Sequence, residues 1–536
     1  MPGRLAFDFG TSNTVVAVWD EARQEGVTLH VPDYGRLYQQ GEEQISVVPS
    51  VIHYAADQRR WIGNQVLQQN LYHSPRTFRW MKRYISNRSP IRVRLDGYEG
   101  GNGNGVSHFD AGSEFLSSVL LFAAAELDIG DEEIALTAPV EAFEHYEDWL
   151  TDVAEAAGMP RFRLIDEPSA AALGYGTHIQ PGDVYLIFDF GGGTLHAAVV
   201  LIEEEERASA GRRCRVLGKA GADVGGMTVD QWLFEEVLRQ NGRSDDDEDV
   251  RQVSNALLAE CERAKERLSF HERADVSVMH PHTGAVLGTE FTRGRFEDLL
   301  DEHAAFTTID RTVRRALNDA RERGYSEDNI GAVLMVGGSS QIPSVQRTLR
   351  RIFGKERVML NRPLDAVARG AAAFVAGVDF YDHIQHDYGI RYVDRQNGGY
   401  DYRLVVERGT PYPTADSVAR LTVKAAYDGQ TQLGIAIYEI GERRRRGGEQ
   451  AMELVFDPSG AARISPVTLD EDDRRTYFWM NENHPTFLEA DPPGKQGEAR
   501  FEVAFSIDGN KRLLVTARDL QTGRTIYRDY PVVKLT

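Results

Sequence analysis

Residues 5–20 read LAFDFGTSNTVVAVWD, and residues 185–200 read YLIFDFGGGTLHAAVV. In both stretches an apolar run ends in Asp-Phe-Gly, small or hydroxyl-bearing residues follow, and a second apolar run begins. Two apolar runs joined by so short a turn predict a β-hairpin. Because self-similarity within a chain usually reflects a repeated architecture, the pair indicates a structural duplication as well as a shared chemistry.

The composition excludes several classes of protein. The 536 residues are 41% hydrophobic, which is ordinary for a soluble globular chain with several cores. No apolar run approaches the roughly 18 residues that span a membrane, so we expect no membrane partner. A formal charge of −21 repels phosphate backbones and argues against nucleic acid, although Arg443 to Arg446 form a basic run that we expect to be solvated. Two cysteines and no apolar leader at the start predict a cytoplasmic protein.

The pattern of apolar residues changes near residue 378. Residues 1–378 alternate strand-like and helix-like segments, which predicts an α/β domain. Residues 389–536 contain short alternating stretches separated by turn dipeptides, which predict a β-sandwich with an insertion at about residues 446–490. Residues 379–388 are the predicted interdomain linker, and they are polar and acidic.

The turns of the two hairpins suit a phosphate group. Glycine has no Cβ, so its backbone N–H can approach phosphate oxygens closely. Asp8 and Asp189 end the first strand of each hairpin and are suited to hold Mg²⁺ through its water shell. A third glycine turn, VGGSSQIP at residues 336–343, follows an apolar run and is a candidate contact for adenosine. Each turn alone has a purely structural explanation, but the three together predict a nucleotide site. Walker A and GxGxxG patterns are absent, which disfavours P-loop and dinucleotide-binding folds.

These segments resemble the 70-kDa heat-shock chaperones, the DnaK-like family within the actin-like ATPases. The resemblance implies an α/β two-lobed actin-like ATPase domain, with duplicated ribonuclease-H-like lobes, followed by a β-sandwich peptide-binding domain. Besides the hairpins it is carried by IDEPSAAALGYG at residues 165–176, AECERAKERLS at 259–269, VGGSSQIP at 336–343, ERGTPYPT at 407–414, AAYDGQTQLGIAIYEIGERRRR at 425–446 and FSIDGNKRLLVTARDLQTG at 505–523.

The resemblance implies an ATP-dependent molecular chaperone, a slow ATPase that binds extended, unfolded polypeptide in its C-terminal β-domain. The implied cofactors are ATP or ADP and Mg²⁺, and the implied partners include a J-domain co-chaperone and a nucleotide exchange factor. One alternative is a nucleotide-dependent scaffold or partner-binding protein with negligible ATP turnover. A small-molecule kinase or an actin-like filament protein fits less well, because neither explains the β-rich C-terminal region.

The resemblance also assigns roles to residues at matching positions. Lys82, in FRWMKRYI, matches the lysine that positions the attacking water, and Glu167 matches the acid that orients metal-bound water. Together with Thr194 and the two magnesium-holding acids, Asp8 and Asp189, they are the implied catalytic set. The implied phosphate contacts are Gly10, Thr11, Ser12, Asn13, Gly191, Gly192, Gly193 and Thr194, with Gly225 and Gly226 nearby. The implied nucleoside contacts are Glu262, Lys265 and Ser269, whose spacing places them on one helix face, and Gly337, Gly338 and Ser339.

Three positions depart from the family pattern. His196 replaces an aspartate that helps the family bind monovalent cations, so K⁺ is a doubtful cofactor here. Glu266 and Gln341 replace two arginines that sandwich the adenine. Loss of guanidinium stacking costs on the order of 1 kcal/mol, so we expect weaker ATP binding than is usual in the family.

For the polypeptide, the resemblance implies a pocket lined by Leu433 and Ile435, with Ile390 and Ala426 nearby and Asn397 arching over the bound segment. Periodicity alone favours a different interpretation, in which these are inward-facing residues of the β-sandwich core. The polar linker predicts weakened coupling between the domains. The chain stops where the β-domain stops, so we expect no helical lid and rapid release of bound peptide.

Overall fold

The computed structural model of the protein gives the path of the chain through both predicted domains. It describes residues 3–40, 43–89, 91–95, 98, 105–127, 129, 132–139, 144–176, 182–203, 213–377, 384, 386–393, 400–408, 410, 412, 414, 416–440, 452–456, 462–466, 477–481, 486–508 and 512–535. Most of the predicted linker at 379–388, Asn397 and Arg443 to Arg446 lie outside the described residues.

The strands and helices are numbered in chain order. The strands are β1 (Leu5–Phe9), β2 (Asn13–Asp20), β3 (Glu25–Thr28), β4 (Arg36–Gln40), β5 (Glu43–Pro49), β6 (Ile52–Tyr54), β7 (Arg60–Ile62), β8 (Thr77–Phe78), β9 (Arg92–Val93), β10 (Val106–Ser107), β11 (Ile134–Ala138), β12 (Phe162–Asp166), β13 (Val184–Phe190), β14 (Leu195–Glu203), β15 (Arg213–Ala222), β16 (Arg273–Met279), β17 (Val286–Thr292), β18 (Ile330–Val336), β19 (Val358–Met359), β20 (Asp387–Val393), β21 (Tyr400–Val406), β22 (Ala419–Lys424), β23 (Gln430–Ile435), β24 (Ile437–Ile440), β25 (Met452–Phe456), β26 (Ala462–Pro466), β27 (Tyr477–Trp479), β28 (Thr486–Gly494), β29 (Ala499–Ile507), β30 (Arg512–Asp519) and β31 (Thr525–Lys534). The helices are α1 (Asn64–Gln68), α2 (Met81–Ser86), α3 (His108–Glu126), α4 (Glu144–Ala156), α5 (Glu167–Gly174), α6 (Gly226–Gln240), α7 (Glu248–Phe270), α8 (Arg293–Glu302), α9 (Ala305–Glu322), α10 (Pro343–Phe353) and α11 (Ala366–Val375). None of the helices in the described part of the chain is long and apolar enough to cross a membrane.

The first predicted hairpin is β1–β2, at the centre of a mixed sheet. The sheet has the order β12-β11-β1-β2-β5-β4, with β3 also paired to β2. Strands β1 and β2 are antiparallel, with Phe9 opposite Thr14, and β11 runs parallel to β1 on its other edge. The Phe9 ring packs between α3 and α4, with ring centroids 5.9 Å from Phe115 and 5.5 Å from Trp149. This packing holds the hairpin rigidly against the core around this sheet. The part of the chain built on this sheet is called the first lobe.

The second predicted hairpin, β13–β14, repeats this arrangement in a second sheet. That sheet has the order β15-β14-β13-β18-β19. Phe190 stands opposite Leu195 across the antiparallel pair, and β18 runs parallel to β13 on its other edge. In both sheets, therefore, an Asp-Phe-Gly hairpin is flanked by a parallel strand. The repeated sequence motif therefore corresponds to a repeated strand topology. The part of the chain built on this second sheet is called the second lobe.

Two helices, α5 and α11, join the lobes by direct backbone contact. A Cβ on Gly174 would lie 1.7 Å from the carbonyl oxygen of Ala366, and one on Gly370 would lie 1.7 Å from that of Ala170. Only glycine permits so close an approach. One apolar cluster contains side chains of α5, α11 and both sheets, which fixes the two lobes around a shared core.

Contacts divide the chain into two compact units. The first unit consists of Met1–Val140, Asp148–Tyr381 and Ala451–Pro466, and the second of Glu141–Glu147, Asp382–Gln450 and Val467–Thr536. Part of the predicted insertion, the β25–β26 hairpin, thus belongs with the first unit. The second unit contains two four-stranded antiparallel sheets, β21-β20-β24-β27 and β22-β29-β30-β31, and the pair β23–β28. These sheets contribute side chains to one apolar core.

Candidate nucleotide-binding site

A cavity of about 970 Å³ lies in the first unit, where β1, β13 and β18 end in their glycine turns. Glu266 and Gln341, the two positions at which the resemblance leads us to expect arginine, are in its lining. So are all the residues predicted to contact nucleotide, magnesium or water, except Gly225: Asp8, Gly10, Thr11, Ser12, Asn13, Lys82, Glu167, Asp189, Gly191, Gly192, Gly193, Thr194, Gly226, Glu262, Lys265, Ser269, Gly337, Gly338 and Ser339.

The turn of each hairpin is held by a serine hydroxyl from another part of its lobe. Ser50 Oγ donates to the carbonyl oxygen of Gly10 over 2.7 Å. Ser339 Oγ donates to the carbonyl oxygen of Gly191 over 2.9 Å. Because each carbonyl accepts a hydrogen bond from its own lobe, the orientation of the neighbouring peptide groups is set before any ligand binds.

The two turns face each other at contact distance. A Cβ on Gly192 would lie 2.5 Å from Ser12 Oγ, and one on Gly193 would lie 2.8 Å from Thr11 Oγ1. Side chains at these glycines would therefore fill the space between the hairpins. Backbone N–H groups of glycine-rich turns form anion-binding concavities, so the turn backbone that lines the cavity fits a polyphosphate.

Gly225 and Gly226 connect helix α6 to the second hairpin. The N–H of Gly226 donates to Gly191 O over 3.0 Å, and the N–H of Met227 donates to Gly192 O over 2.8 Å. A Cβ on Gly225 would lie 2.4 Å from the carbonyl carbon of Gly193. Gly226 lines the cavity, whereas Gly225 packs against the hairpin. Close packing is thus the physical reason for glycine at position 225.

Three carboxylates, two buried and one half-buried, lie with one ammonium group at the hairpin end of the cavity. Lys82 Nζ forms an ion pair with Glu167 Oε1, and Thr137 Oγ1 donates to Asp8 Oδ1 over 2.8 Å. Burial raises the pKa of Asp8 to about 6, partly offset by the Lys82 charge. Burial, with repulsion from Glu167 and Asp8, raises the pKa of Asp189 to about 8. A divalent cation bound here would stabilise the charged forms of these carboxylates, because their negative charges outnumber the single positive charge of Lys82.

Local structure fixes Lys82 and Glu167. Lys82 is the second residue of α2 and is only 7% exposed, so it is not a solvated surface lysine. Glu167 is the first residue of α5, because Asp166 caps that helix by accepting from Ser169 N over 3.0 Å and from Ser169 Oγ over 2.6 Å. Asp166 in turn pairs with Lys219 of β15 over 3.2 Å. The acid that ends β12 is therefore held by both lobes.

Helix α7 supplies the predicted nucleoside contacts from one face. Lys265 is anchored by Asp230 over 2.8 Å and by the carbonyl oxygen of Gly226 over 3.1 Å. Glu262 accepts a hydrogen bond from the Tyr72 hydroxyl of the first lobe. Burial raises the pKa of Asp230 to about 7, although the Lys265 charge opposes the shift. The α7 face is thus oriented by contacts that the sequence alone did not reveal.

The sequence analysis missed the contribution of the β4–β5 hairpin. Tyr38, Gln39, Gln40 and Glu43 line the cavity, and the Arg36 guanidinium lies 4.5 Å from the centroid of the Tyr38 ring. Burial raises the pKa of Tyr38; the Arg36 charge opposes the shift, and the Glu266 and Glu262 charges of α7 add to it. The first lobe therefore brings an aromatic ring to the cavity that Glu266 of α7 and Gln341 of the third turn also line.

The residues predicted to bind polypeptide have different environments. Leu433 and Ile435 are each 2% exposed and belong to the apolar core of the second unit. Ile390 is half-buried against that core, and Ala426 is exposed. The buried pair occupies the core positions that periodicity alone favoured.

The chain matches the model of a known protein family. The family model described as Hsp70 protein matches residues 135–451, more than half of the chain. The matched segment includes the second hairpin, α7 and the third glycine turn, and it extends into the second unit.

Proposed function

Because the chain belongs to the Hsp70 family, whose members are ATPases, we propose that it binds and hydrolyses ATP in this cavity. We further propose that it is a chaperone that binds extended polypeptide through its second unit. The observation that carries the proposal is that three glycine turns line a single cavity, with the carboxylates of Asp8, Glu167 and Asp189 and the ammonium group of Lys82 at its hairpin end.

The glycine turns would hold the triphosphate. Gly10 to Asn13 approach it from the first lobe and Gly191 to Thr194 from the second, as the close contact between the two turns supports. Gly226 and Ser339 complete the lining behind the second turn. Backbone donors suit phosphate because they are fixed and uncharged, and so cost little reorganisation on binding.

Asp8 and Asp189 fit a magnesium ion held through water. Asp189 is buried, Asp8 is half-buried, and both line the cavity near the ends of their strands; hard oxygen donors are the ligands that Mg²⁺ takes. When bound, Mg²⁺ supplies neutralisation of phosphate charge. Thr137 fixes the orientation of Asp8 in advance.

Lys82, Glu167 and Thr194 would position water against the terminal phosphate. Phosphoryl transfer needs little covalent chemistry from the protein, so placement and charge carry the rate. The Lys82–Glu167 pair keeps the ammonium group in the cavity rather than in solvent. This supports a role for Lys82 in stabilising charge that develops on the phosphate.

Polypeptide binding by the second unit rests on the family alone, because Leu433 and Ile435 are core residues. Apolar side chains are nonetheless exposed on this unit, among them Tyr427 at 57% and Phe487 at 42%. The Phe487 ring lies 3.4 Å from the position that a Cβ on Gly434 would occupy, between the two core residues. Exposed rings of this kind can bind apolar side chains of an extended segment.

The test is steady-state ATP hydrolysis by the pure protein, with and without an unfolded polypeptide. Lys82→Ala and Thr194→Ala should each lower turnover about 100-fold or more, as expected when a group that stabilises transition-state charge is removed. Lys355→Ala, at an exposed lysine, is the matched control and should retain wild-type turnover. Stimulation by polypeptide would support the chaperone assignment. Wild-type turnover as low as that of Lys82→Ala and Thr194→Ala would contradict the ATPase proposal.

A further inference from the structure

His196 lies next to the acids of the candidate site, on the second strand of the second hairpin. It stands directly opposite Asp189 in the antiparallel pairing of β13 and β14. Directly opposed residues of such a pair project to the same face of a sheet. His196 is 1% exposed, so its ring is held in the protein interior beside the Asp189 carboxylate.

Glu167 completes a group of three side chains that bear metal-ligand atoms. One ligand atom from each of Glu167, Asp189 and His196 lies within 4.8 Å of the other two. Ligands at about 2.1 Å from a tetrahedral ion are about 3.4 Å apart, so the ligand atoms need to approach one another by at most about 1.4 Å. The three residues come from β13, β14 and the start of α5, which are fixed elements of the fold.

The chemistry of this donor set differs from that of a magnesium site. One imidazole nitrogen and two carboxylate oxygens suit Zn²⁺ and its neighbours in the first transition row, whereas Mg²⁺ prefers oxygen alone. Three protein ligands with a remaining position for water are typical of catalytic zinc sites. Glu167 and Asp189 line the cavity, which gives an ion a route to the buried ring of His196.

The charge of the surroundings also favours a divalent ion. When ionised, Asp8, Asp189 and Glu167 carry three negative charges against the single positive charge of Lys82. Lys82 pairs with Oε1 of Glu167, and the metal would take Oε2. A doubly charged cation would balance this end of the cavity.

We infer that Glu167, Asp189 and His196 form a binding site for one divalent transition-metal ion of the zinc type. The inference goes beyond the proposed ATPase function, since it concerns the nucleotide-free protein and needs no turnover. The ion occupies the same end of the cavity as the acids proposed for magnesium, so the two metals compete for Asp189.

The test uses the full chain without nucleotide, with Zn²⁺ measured by competition against a coloured chelator and Co²⁺ as a spectroscopic substitute. Wild-type protein should bind one Zn²⁺ at this site. Its Co²⁺ form should show a hyperfine-shifted exchangeable proton from a ligating imidazole. His196→Asp replaces the nitrogen donor with oxygen and should lower Zn²⁺ affinity by roughly 100-fold, since loss of even an outer-shell partner costs 10–100-fold. Mg²⁺ affinity should change less than about tenfold.

His282→Asn is the matched control, because His282 is an exposed histidine whose ring lies 5.9 Å from that of His280. It should leave the high-affinity Zn²⁺ site and the shifted proton unchanged. Loss of the signal in His282→Asn, or its retention in His196→Asp, would overturn the inference. If His196→Asp does not fold, the anomalous scattering of zinc in wild-type crystals decides: the peak must lie within bonding distance of His196, and a peak elsewhere or none refutes the site.

Failure of this inference and failure of the ATPase proposal give different results. Zn²⁺ binding through His196 without ATP hydrolysis would leave the metal site standing and contradict the ATPase proposal. Mg²⁺-dependent hydrolysis of ATP by a protein whose Co²⁺ form shows no imidazole signal would support the ATPase proposal and contradict the metal site.

Discussion

In the first Asp-Phe-Gly hairpin Asp8 stands opposite Val15, whereas in the second Asp189 stands opposite His196. The backbones are otherwise alike: each aspartate is the last residue but one of a strand with a parallel neighbour, and the first glycine of each turn accepts a hydrogen bond from a serine hydroxyl at its carbonyl oxygen. The duplication therefore reproduces the glycine turn and its serine hydrogen bond. It does not reproduce the surroundings of the acid.

The difference between the hairpins is electrostatic. Asp8 accepts a hydrogen bond from Thr137, which stabilises its charged form, and it is close enough to Lys82 to be stabilised further. Burial and the Glu167 charge raise, and the Lys82 charge lowers, the pKa of both acids, but the pKa of Asp189 reaches about 8 because the Asp8 charge raises it as well. The residue opposite Asp189 is a potential metal ligand. A repeated fold thus supplies two positions for an acid, and the neighbouring side chains decide what each acid does.

The largest expected effect tests whether the two acids act together. Asp8→Asn and Asp189→Asn should each lower kcat for ATP hydrolysis by about 100- to 1000-fold, because each removes charge that positions the metal. The double variant should be little worse than either single variant, as for groups that act as a unit. Asp33→Asn, at an exposed turn, is the control and should hydrolyse ATP normally. Wild-type turnover in either hairpin variant would show that the hairpins are not functionally paired.

Much of this comparison could be predicted from the sequence, because it depends on local patterns. Apolar runs, strand-ending aspartates and glycine spacing predict the hairpins and the third turn, and the structure contains all three. The family assignment is confirmed by the match over residues 135–451. The pairing of Asp189 with His196 also follows from hairpin register, since a four-residue turn places them opposite each other.

The rest depends on tertiary contacts that no local pattern encodes. Tyr38 reaches the cavity only because β4 is carried there by β5 and β2, more than 200 residues away along the chain from α7. Lys265 matches a nucleoside contact in sequence, but its anchoring by Asp230 is visible only in the structure. For Leu433, strand alternation cannot distinguish a ligand pocket from a core, because both require an inward-facing apolar side chain.

The second prediction separates the acids by pH in metal-free protein. Burial raises both pKa values above the unfolded value near 3.9, so the folded state binds protons more tightly and stability falls as pH rises through each window. Because the pKa of Asp189 is raised to about 8, the free energy of unfolding of the wild type should fall by up to about 1.4 kcal/mol per pH unit between pH 6 and 8. Relative to Asp189→Asn, the wild type should therefore lose stability across that range.

Urea unfolding in EDTA at several pH values measures this difference. The stability difference between wild type and Asp8→Asn should fall by only about 0.4 kcal/mol from pH 6 to 8, because Asp8, with its pKa raised to about 6, is half ionised at pH 6 and almost fully ionised above about pH 7. If the stability difference from wild type has the same slope against pH for Asp189→Asn and Asp8→Asn, the two hairpin acids have the same environment.

The third prediction concerns the first glycine of each turn. A Cβ on Gly10 would lie 2.1 Å from the carbonyl oxygen of Asn13, whereas one on Gly191 would have its nearest neighbour, Asp189 Oδ1, at 3.7 Å. Gly10→Ala must shift backbone and should cost about 1–3 kcal/mol of unfolding free energy. Gly191→Ala is the matched control and should stay within about 0.5 kcal/mol of wild type. Similar unfolding midpoints in urea would contradict this asymmetry.

The smallest expected effect concerns what the first lobe adds beyond its hairpin. If the Tyr38 ring packs on the base of ATP, Tyr38→Ala should weaken ATP binding about tenfold, since an aromatic contact contributes about 0.5–1.5 kcal/mol beyond area burial. Tyr38→Phe keeps the ring and should bind ATP nearly as wild type does, because stacking needs no hydroxyl. Tyr427→Ala, at an exposed tyrosine of the second unit, controls for loss of a surface ring. Calorimetry on the three variants measures the affinities directly. An unchanged affinity in Tyr38→Ala would leave recognition of the base to α7 and the third turn, so that the lobes would share the phosphates but not the nucleoside.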